Sequence, residues 1–277
     1  MNRRRFLGLT SLVGMSSCRQ VSGVTQWKGI AMGIEVSVQY RGDADLKPAL
    51  SAVAQAESAL SLWSADSALS QLNATGTLKN PPDALLACLK KSRELFEATG
   101  GLFDPSIHSF LDWARSEYEK NRNPSDEGIA RQLKLIDFSR VDFSSTKVTL
   151  PPGMSLSLNA IAQGYLTDLF VDHFSASSAL INFGEYRVLG DQSWPVEVKG
   201  KTHDLTRALA VSSGSGSRLS ATTAANHLVD PRTGKSPPPE NVVAVEADEA
   251  WLADGLSTVV AIGGEIPASY ADAQILE

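Results

Sequence analysis

The sequence predicts an α+β fold, and three observations carry that prediction. Segments that alternate apolar and polar residues are interspersed with segments of helical periodicity along 277 residues, but not in strict strand–helix–strand order. No Gly-x-Gly-x-x-Gly follows a strand and there is no P-loop, so a standard nucleotide fold is not indicated. The length suits one large domain or two intimate ones, with ample core and no need of staples.

The elements follow in chain order. Residues 1–20 are set aside as an export signal, and residues 21–277 are read as the folded part. Arg3-Arg4-Arg5-Phe6-Leu7 is a basic region opening into an apolar run, Phe6 to Met15, too short to span a bilayer. The Arg-Arg pair followed by Phe-Leu resembles a twin-arginine signal, and Met15-Ser16-Ser17-Cys18 resembles a lipobox with Cys18 as the lipidated residue. Ile34–Tyr40 alternates as a half-buried strand. Asp45–Leu62 reads as a helix with Leu46, Leu50, Val53, Ala56 and Leu60 inward. Asp83–Thr99 is a second helix, stopped by Gly100-Gly101, and it carries Cys88 as a buried small hydrophobe. Glu117–Arg131 is polar, contains Asn123-Pro124 and reads as a surface excursion. Arg140–Leu150 reads as a strand pair ending at Pro151-Pro152. Asn159–Phe174 reads as a helix with Ile161, Tyr165, Leu169 and Val171 inward. Then come the strands Ala179–Phe183, Arg187–Leu189, Pro195–Lys199, Arg207–Ser212 and Val242–Val245, a last helix Glu246–Val260, and Gly263-Gly264.

Composition is that of a soluble globular protein, 43% hydrophobic and 20% charged. The net charge of -6 argues against nucleic acid as the main partner, because phosphate binding needs a basic surface. Two cysteines give neither a disulfide framework nor a cysteine-based zinc site.

Four short segments carry chemistry. His227-Leu228-Val229-Asp230-Pro231-Arg232-Thr233-Gly234 sets an imidazole just before a tight Asp-Pro/Thr-Gly turn. Asp254 and Thr258 stand one helical turn apart and present a carboxylate and a hydroxyl side by side, donors that suit a hard cation. In Gly100-Gly101-Leu102-Phe103-Asp104-Pro105 the glycines allow close backbone approach to a ligand, with Phe103 against a ring and Asp104 accepting from a base or sugar. Leu156-Ser157-Leu158-Asn159 runs into a helix whose N-terminus offers free amides to a pyrophosphate, or else Asn159 is only its N-cap.

Together these segments resemble the ApbE family of FAD:protein FMN transferases, from about Met32 to about Gly264. Met32-Gly33 precedes the first strand. Leu62-Trp63-Ser64-Ala65-Asp66-Ser67, with Leu69-Ser70 and Asn73, follows. Then come Gly100 to Pro105, Ile161-Ala162-Gln163-Gly164-Tyr165, Asn182-Phe183-Gly184-Glu185, the His227 segment and the Asp254/Thr258 pair, in the family's order. The resemblance implies a T-fold-like arrangement of mixed sheets packed with helices, with an FAD cleft between two halves. It implies Mg²⁺-dependent transfer of FMN from FAD to a Thr or Ser hydroxyl of an acceptor protein, with AMP leaving. Asp254, Thr258 and the carbonyl of Ala160 would hold Mg²⁺. Met32, Trp63, Leu102, Phe103, Asp104, Ser157, Gln163 and Leu228 would contact FAD, and His227 would be the catalytic base. By analogy the acceptor would belong to an exported or membrane redox system, placing the protein on the periplasmic side.

The chain departs from the family's pattern in three places. Ser157 stands for an Asp, Gln163 for a Lys or Glu, and Asn182-Phe183-Gly184-Glu185 is one glycine short. Each change bears on FAD binding more than on the metal pair. The departures motivate a non-catalytic FAD-carrying lipoprotein as one alternative. An FAD pyrophosphatase giving FMN and AMP is another. A serine hydrolase built on Ser212–Ser217 lacks Gly-x-Ser-x-Gly. Because the site is expected on exposed loops, replacing Asp254 or His227 is expected to cost little stability.

Overall fold

The computed structural model describes residues 19–21 and 23–277, so the basic run, the apolar run and Cys18 lie outside it. An eight-stranded sheet organises the chain, antiparallel throughout. In chain order its strands are β1 (Arg19–Val21), β2 (Val24–Ala31) and β3 (Ile34–Arg41) on one side. The helices α1 (Lys47–Leu60) and α2 (Ala68–Thr75) follow, then β4 (Thr77–Lys79) and α3 (Asp83–Ala98). Next come α4 (His108–Glu119), α5 (Asp126–Leu133), β5 (Asp142–Phe143) and β6 (Lys147–Thr149). The chain re-enters the sheet after α6 (Asn159–Asp172) through β7 (Ser178–Asn182) and β8 (Tyr186–Leu189). A hairpin of β9 (Trp194–Val198) and β10 (Lys201–Leu205) precedes β11 (Ala208–Ser213) and β12 (Val242–Ala247). Last are α7 (Ala250–Ala261) and β13 (Gln274–Leu276). The sheet runs β1-β2-β3-β7-β8-β11-β12-β13, and β4, β6 and β5 form a small second sheet.

Both faces of the large sheet are covered, and the strands read accordingly. On β7, Ala179 and Ile181 join the helix-side core while Leu180 joins the cluster under the β9–β10 hairpin. Val243 and Val245 of β12 divide from Ala244 in the same way. A strand buried on both faces loses its polar alternation.

The helix α6 is buried on most sides because it is surrounded by α1, α3, α7 and the sheet. Ile161, Ala162, Gly164, Leu166 and Phe170 are its buried apolar positions, whereas Tyr165, Leu169 and Val171, expected inward, are only half-buried. Two other expectations are corrected. The polar Glu117–Arg131 stretch holds the end of α4 and all of α5. Ser125 caps α5 through the Gly128 amide, with Asp126 and Glu127 in the first turn, so capping and the helix dipole organise a segment with few apolar residues. The last helix begins at Ala250, because Glu246 and Ala247 still pair with Leu209 and Ala208 of β11. Among the described residues no helix is long and apolar enough to cross a membrane.

Candidate active site

The expected cation pair lies at the contact of α6 and α7. Gly164 lets the two helices meet, since a Cβ there would stand 2.3 Å from the Ala250 carbonyl oxygen. Asp168 of α6 caps α7 by accepting from the Ala250 and Trp251 amides, each at 2.9 Å, and it also pairs with Arg187. Asp254 therefore faces the opening turn of α6. There Ala160 has φ -83° and ψ 15°, outside helical values, which tips its carbonyl off the helix axis. The Gly164 amide, that carbonyl's regular helical partner, donates to Asp254 Oδ2 at 3.2 Å.

Asp254 lies on the last helix, as expected, but is only 4% exposed, so the exposed site and the small stability cost expected from the sequence are corrected. Burial and the nearby Asp168 push its carboxyl up to about 8, against the Gly164 amide. Glu185 is also buried, and burial together with the Asp254 charge holds its carboxyl well above the usual range. Arg187 is committed to Asp168, and no basic side chain pairs with Asp254 or Glu185 among the described residues. Thr258, half-buried one turn beyond Asp254, has its hydroxyl 3.5 Å from Ser212 Oγ of β11, which in turn lies 2.7 Å from Ser257 Oγ. The described residues contain no group of three or more His, Cys, Asp or Glu placed for a metal. The pocket offers mixed oxygens instead, a donor set that fits Mg²⁺, which takes one or two carboxylates and leaves positions for substrate phosphates.

β11 links this pocket to His227. Beyond Ser212 the strand turns at Gly214–Gly216, and the Ser217 carbonyl then accepts from the His227 amide at 3.0 Å and from His227 Nδ1 at 3.1 Å. A carbonyl can only accept, so Nδ1 carries the proton and Nε2 keeps its lone pair. Burial lowers the pKa of His227, which keeps the ring neutral at pH 7. The loop is fixed on both sides. Asn226, fully buried, donates to the Ala224 and Pro237 carbonyls and accepts from the Leu228 amide. Asp230 takes the Arg232 guanidinium and accepts the Gly234 amide through its carbonyl.

The residues expected around FAD fall into two further groups. Met32 and Gly33 form the two-residue turn between β2 and β3, both with positive φ (51° and 76°). The Met32 amide donates to Glu57 Oε1 at 2.7 Å, which helps hold a non-glycine residue in that conformation. Trp63, on the loop after α1, is 84% exposed. In the second group the Ser157 amide donates to the Pro105 carbonyl at 2.9 Å, which joins Ser157 to the Asp104 loop. Asn73 braces the same stretch by pairing with both the amide and the carbonyl of Leu156.

Several side chains expected to touch FAD are committed elsewhere. Leu102, Phe103 and Leu228 point into the main core, so contact with a ligand there would come from backbone. Asp104 Oδ1 accepts from the Ser106 amide and hydroxyl, and Oδ2 from the Phe138 amide, so its carboxylate organises the loop and is not open to a base or sugar. Asn159 is not the cap of α6: Leu158 holds that position, and the Asn159 amide donates to Ser157 Oγ. Gln163 packs against Gly184, where a Cβ would stand 2.8 Å from its amide carbon. A cleft of about 790 Å³ lined by Leu62, Asn73, His108, Asp112, Pro151 and Ser155 contains none of the expected site residues. The sequence reading passed over Glu185 and Ser212 as site residues. Glu185 was visible only as the end of a shortened loop, and Ser212 only as part of a serine tract.

The sequence pattern of the ApbE family matches residues 32–274. The FAD:protein FMN transferase of Treponema pallidum (strain Nichols) is 30% identical over 154 residues, covering 51% of this chain and 42% of the relative. The chain thus aligns with less than half the length of that relative. The solved structure of Pseudomonas stutzeri flavinyl transferase ApbE, apo form, superposes with a TM-score of 0.73 at 22% identity, over 86% of this chain and 84% of that one. The ApbE protein of Thermotoga maritima gives 0.71 at 21% identity, over 86% of each chain. Flavin transferase ApbE from Vibrio cholerae gives 0.70 at 20%, over 87% and 88%. At these identities the structures establish a shared fold.

Proposed function

Since the chain belongs to the ApbE family, we propose that it transfers FMN from FAD to a Thr or Ser hydroxyl of an acceptor protein, with release of AMP. The observation that carries this reading is the buried Asp254 carboxylate, which has no basic partner and faces the opened first turn of α6. A structural carboxylate so placed would be costly, whereas a cation site needs it.

Asp254, Thr258 and the Ala160 carbonyl would hold Mg²⁺, which when bound neutralises pyrophosphate charge and serves as a Lewis acid. The free helix amides expected from the sequence add little here, since the Asn159 amide donates to Ser157 Oγ and the Ile161 and Ala162 amides to the Leu158 carbonyl. His227 Nε2 takes the proton of the attacking hydroxyl. A bond forms from that oxygen to the FMN phosphorus as the bond to the AMP oxygen breaks, in line, so positioning does most of the work. Trp63 offers an aromatic face to the flavin, with Met32, Ser157 and Gln163 lining the remainder. The basic Arg3–Arg5 run and the apolar segment after it support export to the periplasmic side, with Cys18 as a lipid attachment point.

The test is a mass spectrum after incubation with FAD, Mg²⁺ and an exported acceptor domain bearing a candidate Thr. An FMN-sized gain on the acceptor, with AMP released and EDTA blocking both, is expected. AMP without a labelled acceptor would instead indicate an FAD pyrophosphatase, and intact FAD retained by the protein would indicate a carrier.

A further inference from the structure

Glu185 follows β7 in the tight turn to β8 and is 7% exposed. Its backbone carbonyl accepts from the Thr167 hydroxyl of α6 at 3.1 Å. Gly184, at φ 107°, lets the turn lie against Gln163 of α6, a contact that a side chain there would block. The turn is therefore pressed onto the helix whose first residues face Asp254.

The Glu185 carboxylate is only half satisfied. Oε2 accepts from the Val211 amide at 3.2 Å, while Oε1 accepts no hydrogen bond among the described residues. Among the described residues no basic side chain pairs with it or with Asp254, another buried carboxylate. The residue after Val211 is Ser212, whose hydroxyl reaches Thr258. Glu185, Ser212, and the pair Thr258 and Asp254 thus converge from three elements, the β7–β8 turn, β11 and α7, and among the described residues no basic side chain pairs with either acidic group. A pair of buried like charges is tolerated where a cation belongs.

We propose that Glu185 is the second carboxylate of the Asp254–Thr258 pocket, where its charge sets the affinity for the divalent cation. This rests on the reading above that the pocket binds Mg²⁺. The competing role is purely structural: Glu185 as the acceptor that fixes the Val211 amide.

Calorimetric titration of the metal-free protein with Mg²⁺, without FAD, separates the two roles. Glu185→Gln keeps an acceptor for Val211 but removes the charge, and Glu185→Asp keeps the charge on a shorter arm. Mg²⁺ affinity is expected to fall between about 10- and 100-fold in Glu185→Gln, the loss typical of groups that support a metal site, and by less in Glu185→Asp. Equal losses in the two variants would mean that packing and not charge is responsible, and would overturn the proposal. So would wild-type affinity in Glu185→Gln alongside lost binding in Asp254→Asn. Wild-type affinity in both Glu185→Gln and Asp254→Asn would overturn the pocket reading itself.

Discussion

The Gly164 amide of α6 donates to Asp254 of α7 at 3.2 Å, and Gly164 is also where the two helices touch. One missing side chain thus sets both the helix spacing and the position of the carboxylate. Gly164→Ala places a methyl group 2.3 Å from the Ala250 carbonyl oxygen, so the helices must part. Overpacking of this kind costs about 1–3 kcal/mol. The variant is expected to melt several degrees lower, and the rise in Tm that Mg²⁺ binding is expected to give the wild type should be lost. Thermal unfolding with and without Mg²⁺ measures both effects, and an unchanged Mg²⁺ response would separate the helix contact from the cation pocket.

Asp254→Asn should stabilise the metal-free protein above neutral pH. In the folded state the Asp254 carboxyl is pushed up to about 8, whereas in the unfolded chain it titrates near 3.9. Between those values the folded state holds the proton that the unfolded state has lost. Its stabilising contribution is therefore full in acid, declines as pH rises toward 8 and is gone beyond it. Glu185 on the β7–β8 turn and Asp168 on α6 are raised as well and act in the same direction, as does Cys88 on α3 at higher pH. The Asp254 share appears as the difference between wild type and Asp254→Asn in urea titrations at pH 6 and pH 9 with EDTA present. Parallel pH dependences in the two proteins would contradict it.

If His227 is the base proposed above, His227→Ala should slow transfer far more than it weakens FAD binding. General-base catalysis contributes roughly 10²- to 10⁴-fold. Acceptor labelling rates and FAD titrations provide the two numbers, and equal losses in both would make His227 a binding residue. Since burial lowers the His227 pKa from its usual 6.5, the neutral ring persists into mild acid. The acid limb of the transfer rate should accordingly lie below pH 6.5.

The sequence was most legible where one physical signal acted alone. Ile34–Tyr40 alternates because β3 is half-buried, and Asp83–Thr99 ends where Gly100 and Gly101 supply positive φ. It was least legible where tertiary contact overrode local pattern. The buried surface of α6 takes in most sides of the helix, which no single apolar stripe reports. The i, i+4 spacing of Asp254 and Thr258 was readable, but the burial that makes Asp254 unusual comes from Gly164, 90 residues away in sequence. Glu185 was hidden for the same reason, since its partner amide belongs to Val211 on another strand. For Phe103 and Leu228 the motif could be read from the sequence, but the inward direction of their side chains could not.

Trp63 separates ligand binding from stability most cleanly. At 84% exposed it contributes almost nothing to the core, so Trp63→Ala should change the unfolding free energy by no more than about 0.5 kcal/mol. A bare indole beside the Ser61 loop is costly to leave in water and makes no ring contact among the described residues. Stacking on a flavin ring would recover roughly 0.5–1.5 kcal/mol beyond the area buried, so FAD affinity should fall about 10-fold in the alanine variant. Trp63→Phe keeps an aromatic face and should recover part of that loss. Quenching of flavin fluorescence on binding gives affinity and stacking together: the quench should shrink in Trp63→Ala and partly return in Trp63→Phe. Wild-type affinity and quenching in the alanine variant would place the flavin elsewhere and direct attention to the cleft beside Leu62.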